Sequence, residues 1–426
     1  MPDHTHVTME QLRVGLYIYL DLKWFEQPFV FGHFRIKDEE QIRIIRSLGL
    51  ARVRYSPQLS TALPLAPAAP DTPAPVQPEA PAPEVSPALE AKRVMIERIR
   101  LQREATARVE NAYADTANTL REIDRNLYAR PAETVQQATR LVTQIADSIL
   151  SEPELAIHVM GDKPGGEEMY FHSLNVTILS MMMARDMKLP AEAVTPLGMG
   201  AMFHDIGHKE LPPKLLQQQA PFSGPERHLY EMHAEYGYNI GRRLQLAAPA
   251  LAVIREHHEF FDGSGYPAKL KGDAISLLAR IVAIANHYDQ LCNPANINDA
   301  LTPHEALSLM FAKLRSKFDP KILQLFIRCL GVYPPGTIVQ LSNGVIGLVT
   351  TVNTNRPMKP MIMIYDAAIP KKEAVLVDLE HETEVNIAKA IRPAQVPREV
   401  YDYLSPRKRV SYYFDAGTAA PAVPPR

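Results

Sequence analysis

Cysteine is nearly absent from this chain of 426 residues: Cys292 and Cys329 are the two present, too few for a disulfide framework and suited to a reducing compartment. Charge of one sign is absent too. A formal net charge of −2 gives no global attraction to nucleic acid or to an acidic membrane surface. No uninterrupted apolar run reaches membrane-spanning length, and the richest, residues 275–285, is short and carries Arg280. The first residues, with Asp3, His4, His6 and Glu10, have neither the basic nor the apolar part of a secretory leader. These absences predict a soluble, cytoplasmic protein with no DNA binding and no membrane insertion. Apolar and charged contents of 46% and 22% are ordinary for globular proteins, and the length suffices for two or three domains.

What is abundant is proline, 37 residues, and its distribution marks boundaries. Residues 1–60 read as a small N-terminal α+β module. Residues 14–20 are rich in β-formers, the aromatics Trp24, Phe25, Phe29, Phe31 and Phe34 cluster, Asp38 precedes a helical pattern ending at Gly49, and residues 52–55 read as a closing strand. Nothing in this module demands a sensing role. Residues 61–88 are a Pro/Ala-rich linker with almost nothing to bury. Residues 89–149 form a helical connector in which Val109, Tyr113, Thr116, Leu120, Ile123 and Leu127 alternate steps of four and three. That seam fits a helix packed on its own domain or a homodimer stalk, and the pattern leaves both open. Pro131 breaks it, and a second helical pattern runs over 133–150. Residues 150–332 read as consecutive helices. In 333–405 the character changes: residues 337–341 and 345–352 flank Ser342, Asn343 and Gly344, a hairpin turn signal, and residues 361–365 and 374–377 suggest further strands of a small β domain. Its default role is packing or interaction, including with a signalling partner. Residues 406–426 are an Ala/Pro-rich tail.

Eight of the fourteen histidines fall between 172 and 287, as a metal site assembled from several helices would require. Glu168 and His172 stand four apart, a spacing that puts both on one helix face. An apolar helix over 197–203 runs into His204 and Asp205. An aspartate there is hard to explain as core without a cation to neutralise it. His233 lies in a helical pattern, and His257 and His258 close another apolar helix. A loop follows, Asp262, Gly263, Ser264, Gly265, Tyr266 and Pro267, whose glycines allow an anionic ligand to approach the backbone. On its own that loop is equally an ordinary turn. A last helical pattern, 281–291, carries Asn286 and Asp289.

In this order, His172, His204–Asp205, His233, His257–His258 and the loop ending in Gly265, Tyr266 and Pro267 resemble the HD-GYP family, a branch of the HD metal-dependent phosphohydrolases. The resemblance covers about residues 150–330. Residues 1–60 resemble the small domain of unknown function that often precedes HD-GYP domains. The implied fold is mainly α, an all-helical HD-type domain flanked by the two small modules. The implied activity is hydrolysis of cyclic di-GMP, a bacterial second messenger, or a related cyclic dinucleotide, by a metal-bridged hydroxide. Two or three divalent metal ions, iron or manganese, are implied as cofactors. Carried over residue by residue, the metal ligands are Glu168, His172, His204, Asp205, His233, His257, His258 and Asn286. Asp205 and His208 take catalytic roles, and Gly263, Ser264, Gly265, Tyr266 and Pro267 shape the substrate side.

The chain departs from the family at three places. Asn286 stands where the family has aspartate as the last ligand, with Asp289 nearby to compensate. His208 stands where the family has a phosphate-contacting lysine. Cys292 to Ile297 replace an Arg-Pro-Tyr-Arg-like segment that reads guanine. These departures keep two further expectations open beside cyclic di-GMP hydrolysis: a degenerate scaffold that binds nucleotide or partner proteins without turnover, and a hydrolase acting on another substrate.

Overall fold

The computed structural model describes residues 5–22, 29, 32–66, 116, 118–151, 168–216, 220–294, 296, 299–353, 356–367, 369, 371, 374–380, 382 and 385–404. The chain divides into two compact units, residues 1–102 with 366–377, and residues 103–365 with 378–426. Most of the 61–88 linker, Val109 and Tyr113 of the seam, Trp24, Phe25 and Phe31, and the tail lie outside the described residues.

In the first unit four short antiparallel strands lie in the order Thr5–Thr8, Arg52–Ser56, Tyr17–Tyr19, His33–Arg35. The helix Glu39–Ser47 begins where the Asp38 carboxylate accepts a hydrogen bond from the Gln41 amide. It ends before Gly49, whose φ of 71° suits a residue without Cβ. Ile42 and Ile45 of the helix meet Val7, Leu16, Ile18 and Val53 of the sheet in one apolar core. The outer strands Thr5–Thr8 and His33–Arg35 escape a reading by alternation. Each is a four- or three-residue edge with too few positions to show a period.

The second unit is mainly helical. Pro131 opens the helix Pro131–Ser151, at a first-turn position where a missing N–H costs nothing. The helices Glu168–Asp186 and Ala191–Phe203 are apolar nearly all round and bury Leu174, Val176, Leu179, Met183, Leu197 and Met202, so they form the centre of the domain. Gly198 and Gly200 let neighbours close on the second of these helices. A Cβ at Gly198 would stand 2.5 Å from Val142 Cγ1, and one at Gly200 would stand 2.6 Å from Val253 Cβ. The helices His233–Arg243, Ala248–Glu256, Leu277–Cys292 and Pro320–Leu330 complete the body. Leu120, Ile123 and Leu127 of the connector are buried in this same core. The described part of the seam is therefore packed on its own domain, not left for a second copy.

Four antiparallel strands follow in the order Met361–Ile364, Ile346–Thr351, Ile338–Leu341, Ile387–Ile391. The expected turn is present: Gly344 has φ 87°, and the Val345 amide donates to Asn343 Oδ1. The helix Arg398–Leu404, not foreseen, packs Val400 and Leu404 against Ile338 and Leu348. Among the described residues no helix is long and apolar enough to cross a membrane.

Candidate metal centre

The histidines converge because of where the helices stop. His204 caps the C-terminus of Ala191–Phe203, His257 caps that of Ala248–Glu256, and His233 follows the helix Gly224–Glu231 by two residues. The last carbonyls of a helix have no intrahelical N–H partner. Each of these histidines turns its ring back onto one. The Nδ1–H of His204 donates to Ala201 O at 2.7 Å, that of His233 to Tyr230 O at 2.7 Å, and that of His257 to Ile254 O at 2.8 Å. A carbonyl oxygen only accepts, so the proton is on Nδ1 and the Nε2 lone pair faces inward. His172 sits inside the helix Glu168–Asp186, where no carbonyl is free. A carboxylate does the same work there: His172 Nδ1–H donates to Asp289 Oδ2 at 2.6 Å, while Asp289 Oδ1 accepts from Asn175 at 2.7 Å and Asn293 at 2.8 Å.

All these Nε2 atoms surround Asp205, and its two oxygens are divided between them. Oδ2 lies 3.2 Å from His204 Nε2 and 3.6 Å from His172 Nε2; Oδ1 lies 3.5 Å from both His233 Nε2 and His257 Nε2. Two sets of mutually close donor atoms result, Asp205 with His172 and His204, and Asp205 with His233, His257 and His258. The donors fit cations. His172 Nε2 faces His204 Nε2 at 3.2 Å and His233 Nε2 faces His257 Nε2 at 3.3 Å, lone pair towards lone pair. Among the described residues Asp205 Oδ1, His258 Nε2 and Asn286 Oδ1 are buried without a hydrogen-bond partner, a cost that a shared positive ion removes.

Burial favours the neutral imidazole. It pushes His233 down to about 3 and lowers His208, His257 and His258 below their ordinary value of 6.5. Burial alone would lower His172 as well, but the hydrogen bond and charge of Asp289 raise it. For Asp205 burial works upward and is overcome by the surrounding imidazoles, which hold the carboxyl well below the usual range. A base whose folded pKa is depressed binds fewer protons folded than unfolded, so its stability contribution is present above 6.5 and drains away as pH falls towards the folded value. His208, His233, His257, His258 and also His287, lowered to about 4, act in this direction; His172 acts in the opposite one. Chelator-treated protein is therefore expected to melt progressively lower as pH drops from 7 to 5. A melting temperature that is flat over that interval would contradict this account of the cluster.

A cavity of about 530 Å³ opens onto the cluster, with Asp205, His172, His258, Tyr230, Tyr266 and His287 in its lining. Of the loop residues expected at the substrate side, Tyr266 lines this cavity, its ring stacked on His258 at 4.5 Å between centroids. Gly265 is buried where a Cβ would come within 2.4 Å of His258 O and the Phe260 amide N, so the loop packs on the backbone of the histidine pair. Gly263 (φ 85°) and Ser264 turn the chain, with Ser264 donating to Asp262 Oδ1, and Pro267 follows Tyr266 through a cis peptide. Glu259, which sequence reading passed over, is buried and accepts from the Ala268 and Leu270 amides at 2.6 and 3.0 Å, holding the far side of the loop. An acidic residue just before a Gly-Pro loop was the available signal.

Asn286 is buried beside His172. Asp289 does not compensate for it as a ligand, because both its oxygens are occupied behind His172. His208 stands with Nε2 3.8 Å from Asp205 Oδ1 and lines a second, mostly apolar cavity of about 150 Å³ with Lys209 and Asp124. The large cavity is lined instead by Asn293 and Pro294 of the segment that replaces the expected arginines. Glu168 opens the helix that carries His172; its side chain, like Ala295 and Ile297, lies outside the described residues.

Comparison with known proteins matches an HD domain over residues 128–322, a domain of unknown function (DUF3391) over 4–138, and a KOW domain associated with HD domain over 338–399. A cyclic di-GMP phosphodiesterase of Pseudomonas aeruginosa is 28% identical over 97% of this chain and 99% of its own length. A cyclic di-GMP phosphodiesterase response regulator of Xanthomonas campestris is 32% identical over 34% of this chain and 39% of its own. A 3'3'-cGAMP-specific phosphodiesterase of Vibrio cholerae is 34% identical over 29% of this chain and 24% of its own. The chain thus carries an HD domain, matched over residues 128–322, between a DUF3391 domain and a KOW domain associated with HD domain.

Proposed function

We propose that this protein is a divalent-metal-dependent phosphodiesterase that hydrolyses a cyclic dinucleotide, cyclic di-GMP foremost. One observation carries the reading: a single carboxylate, Asp205, offers one oxygen to each of two imidazole sets at the floor of an open cavity. The full-length likeness to a cyclic di-GMP phosphodiesterase supports the substrate. His172, His204 and Asp205 would hold one ion, and Asp205, His233, His257 and His258 another, with Asn286 and Glu168 as further ligands. Mixed imidazole and carboxylate donors suit iron, manganese or zinc, and iron or manganese are the ions the family resemblance implies. When bound, such ions supply Lewis acidity, which acidifies water and offsets the charge of a phosphodiester.

The remaining work falls to the protein's own groups. The Nδ1–carbonyl and Nδ1–Asp289 hydrogen bonds keep each ring in one tautomer and one orientation. Tyr266 is held against His258 and presents an aromatic wall to the cavity. His208 backs Asp205 rather than reading a phosphate, since it lines the smaller cavity.

The test is anaerobic purification with iron or manganese, metal counting, and assay on cyclic di-GMP and 3'3'-cGAMP. Turnover to the linear dinucleotide or to mononucleotides is expected; full metal occupancy with no turnover of either would sink the reading. Asn286→Asp adds a charge where a buried amide oxygen has no partner. It is expected to raise metal occupancy or activity, and no change in either would remove Asn286 from the ligand set.

A further inference from the structure

A cavity that takes a phosphodiester needs donors for the anionic oxygens, yet among the described residues lining this one there is neither lysine nor arginine. The Asn293 amide is already given to Asp289, and His172 to the same carboxylate. Beside the Gln290 amide two phenols line it, Tyr266 from the loop and Tyr230 from the helix Gly224–Glu231. Tyr230 was not marked by any motif. Its backbone carbonyl is the acceptor that orients His233. Its ring is fixed among Phe222, His208 and His233, with centroids 5.2, 5.4 and 5.2 Å away. Among the described residues the hydroxyl has no hydrogen-bond partner, and it shares the cavity with Asp205. A phenol is protonated at neutral pH, so its hydroxyl is a donor that adds no charge.

We infer that the Tyr230 hydroxyl donates a hydrogen bond to a non-bridging phosphoryl oxygen of the substrate, the contact that no cationic side chain in this cavity provides. The inference rests on the phosphodiesterase reading and adds to it a substrate-binding residue. It also explains how one residue serves two purposes: the main chain of Tyr230 sets a metal-facing histidine and its side chain sets the phosphate beside it. A preorganised donor at that place acts without reorganisation at the moment of reaction.

The test is Tyr230→Phe, which keeps the ring packing and the carbonyl and removes only the donor. Metal-loaded protein is titrated with inorganic phosphate and assayed on cyclic di-GMP, with metal content and melting temperature measured alongside. Expected are unchanged metal content and melting temperature, phosphate affinity weaker by about 10-fold, and kcat/KM lower by about 10- to 100-fold. Phosphate affinity within twofold of the parent protein would overturn the inference. So would loss of metal in the variant, which would reduce Tyr230 to a support for His233. If the parent protein turned over no cyclic dinucleotide, the phosphodiesterase reading would fall, while the phosphate titration would still decide the role of Tyr230.

Discussion

Asp205→Ala is expected to abolish hydrolysis and to remove at least one metal ion per chain. The two oxygens of Asp205 face different imidazole sets, so no other described residue can hold both sets to a common centre. Losing the carboxylate also leaves His208 and His257 without the anion that offsets their burial. Removal of one preorganised donor from an enzyme site typically costs about 10²- to 10³-fold in rate. Asp205 belongs to both donor sets at once, so a loss of at least roughly 10³-fold is expected. Metal counting and turnover on cyclic di-GMP check this together. A variant that kept the parent's metal content and a tenth of its rate would show that the centre is not built on Asp205.

Asp289→Asn is expected to weaken metal binding by about 10- to 100-fold, the usual cost of losing the group that orients a liganding histidine. The substitution is nearly isosteric, so packing in the Leu277–Cys292 helix should survive. What changes is chemistry: three donors, from His172, Asn175 and Asn293, now converge on two carboxylate oxygens, and an amide offers one acceptor. The His172 Nδ1–H then competes for a partner, and the ring loses the bond that turns Nε2 towards Asp205. An equivalent Asp→Asn change behind a histidine costs a serine protease about 10⁴-fold through the wrong tautomer. Metal affinity measured by competition with a chelator dye, together with the melting temperature, separates loss of orientation from loss of fold. Unchanged affinity would mean that the helix alone fixes His172.

Much of this was readable before any coordinates. The helical domain was legible because its helices are long and apolar, and the clustered histidines stood out because a histidine followed by aspartate at the end of an apolar helix is hard to explain as core. The four-stranded N-terminal sheet was half legible. Tyr17–Tyr19 and Arg52–Ser56 carry strong β-formers, whereas Thr5–Thr8 and His33–Arg35 are edges too short for alternation to speak. The connector pattern was ambiguous for a different reason: a spacing of fours and threes reports an apolar face but not what covers it. Burial of Leu120, Ile123 and Leu127 in their own domain answers that for the described part.

Local pattern pointed to the mainly helical fold class and to the histidines and aspartate that the structure gathers into two donor sets, because each depends on residue type and spacing within one helix or one loop. Tertiary structure decided the roles. Asp289 and Asn286 are three apart on one helix, and nothing in that spacing tells which of them stands behind His172. His208 and Tyr230 are equally silent as letters, and only the packing of separate helices puts one on the small cavity and the other on the large one. Direction and partner are properties of side chains brought together from distant parts of the chain.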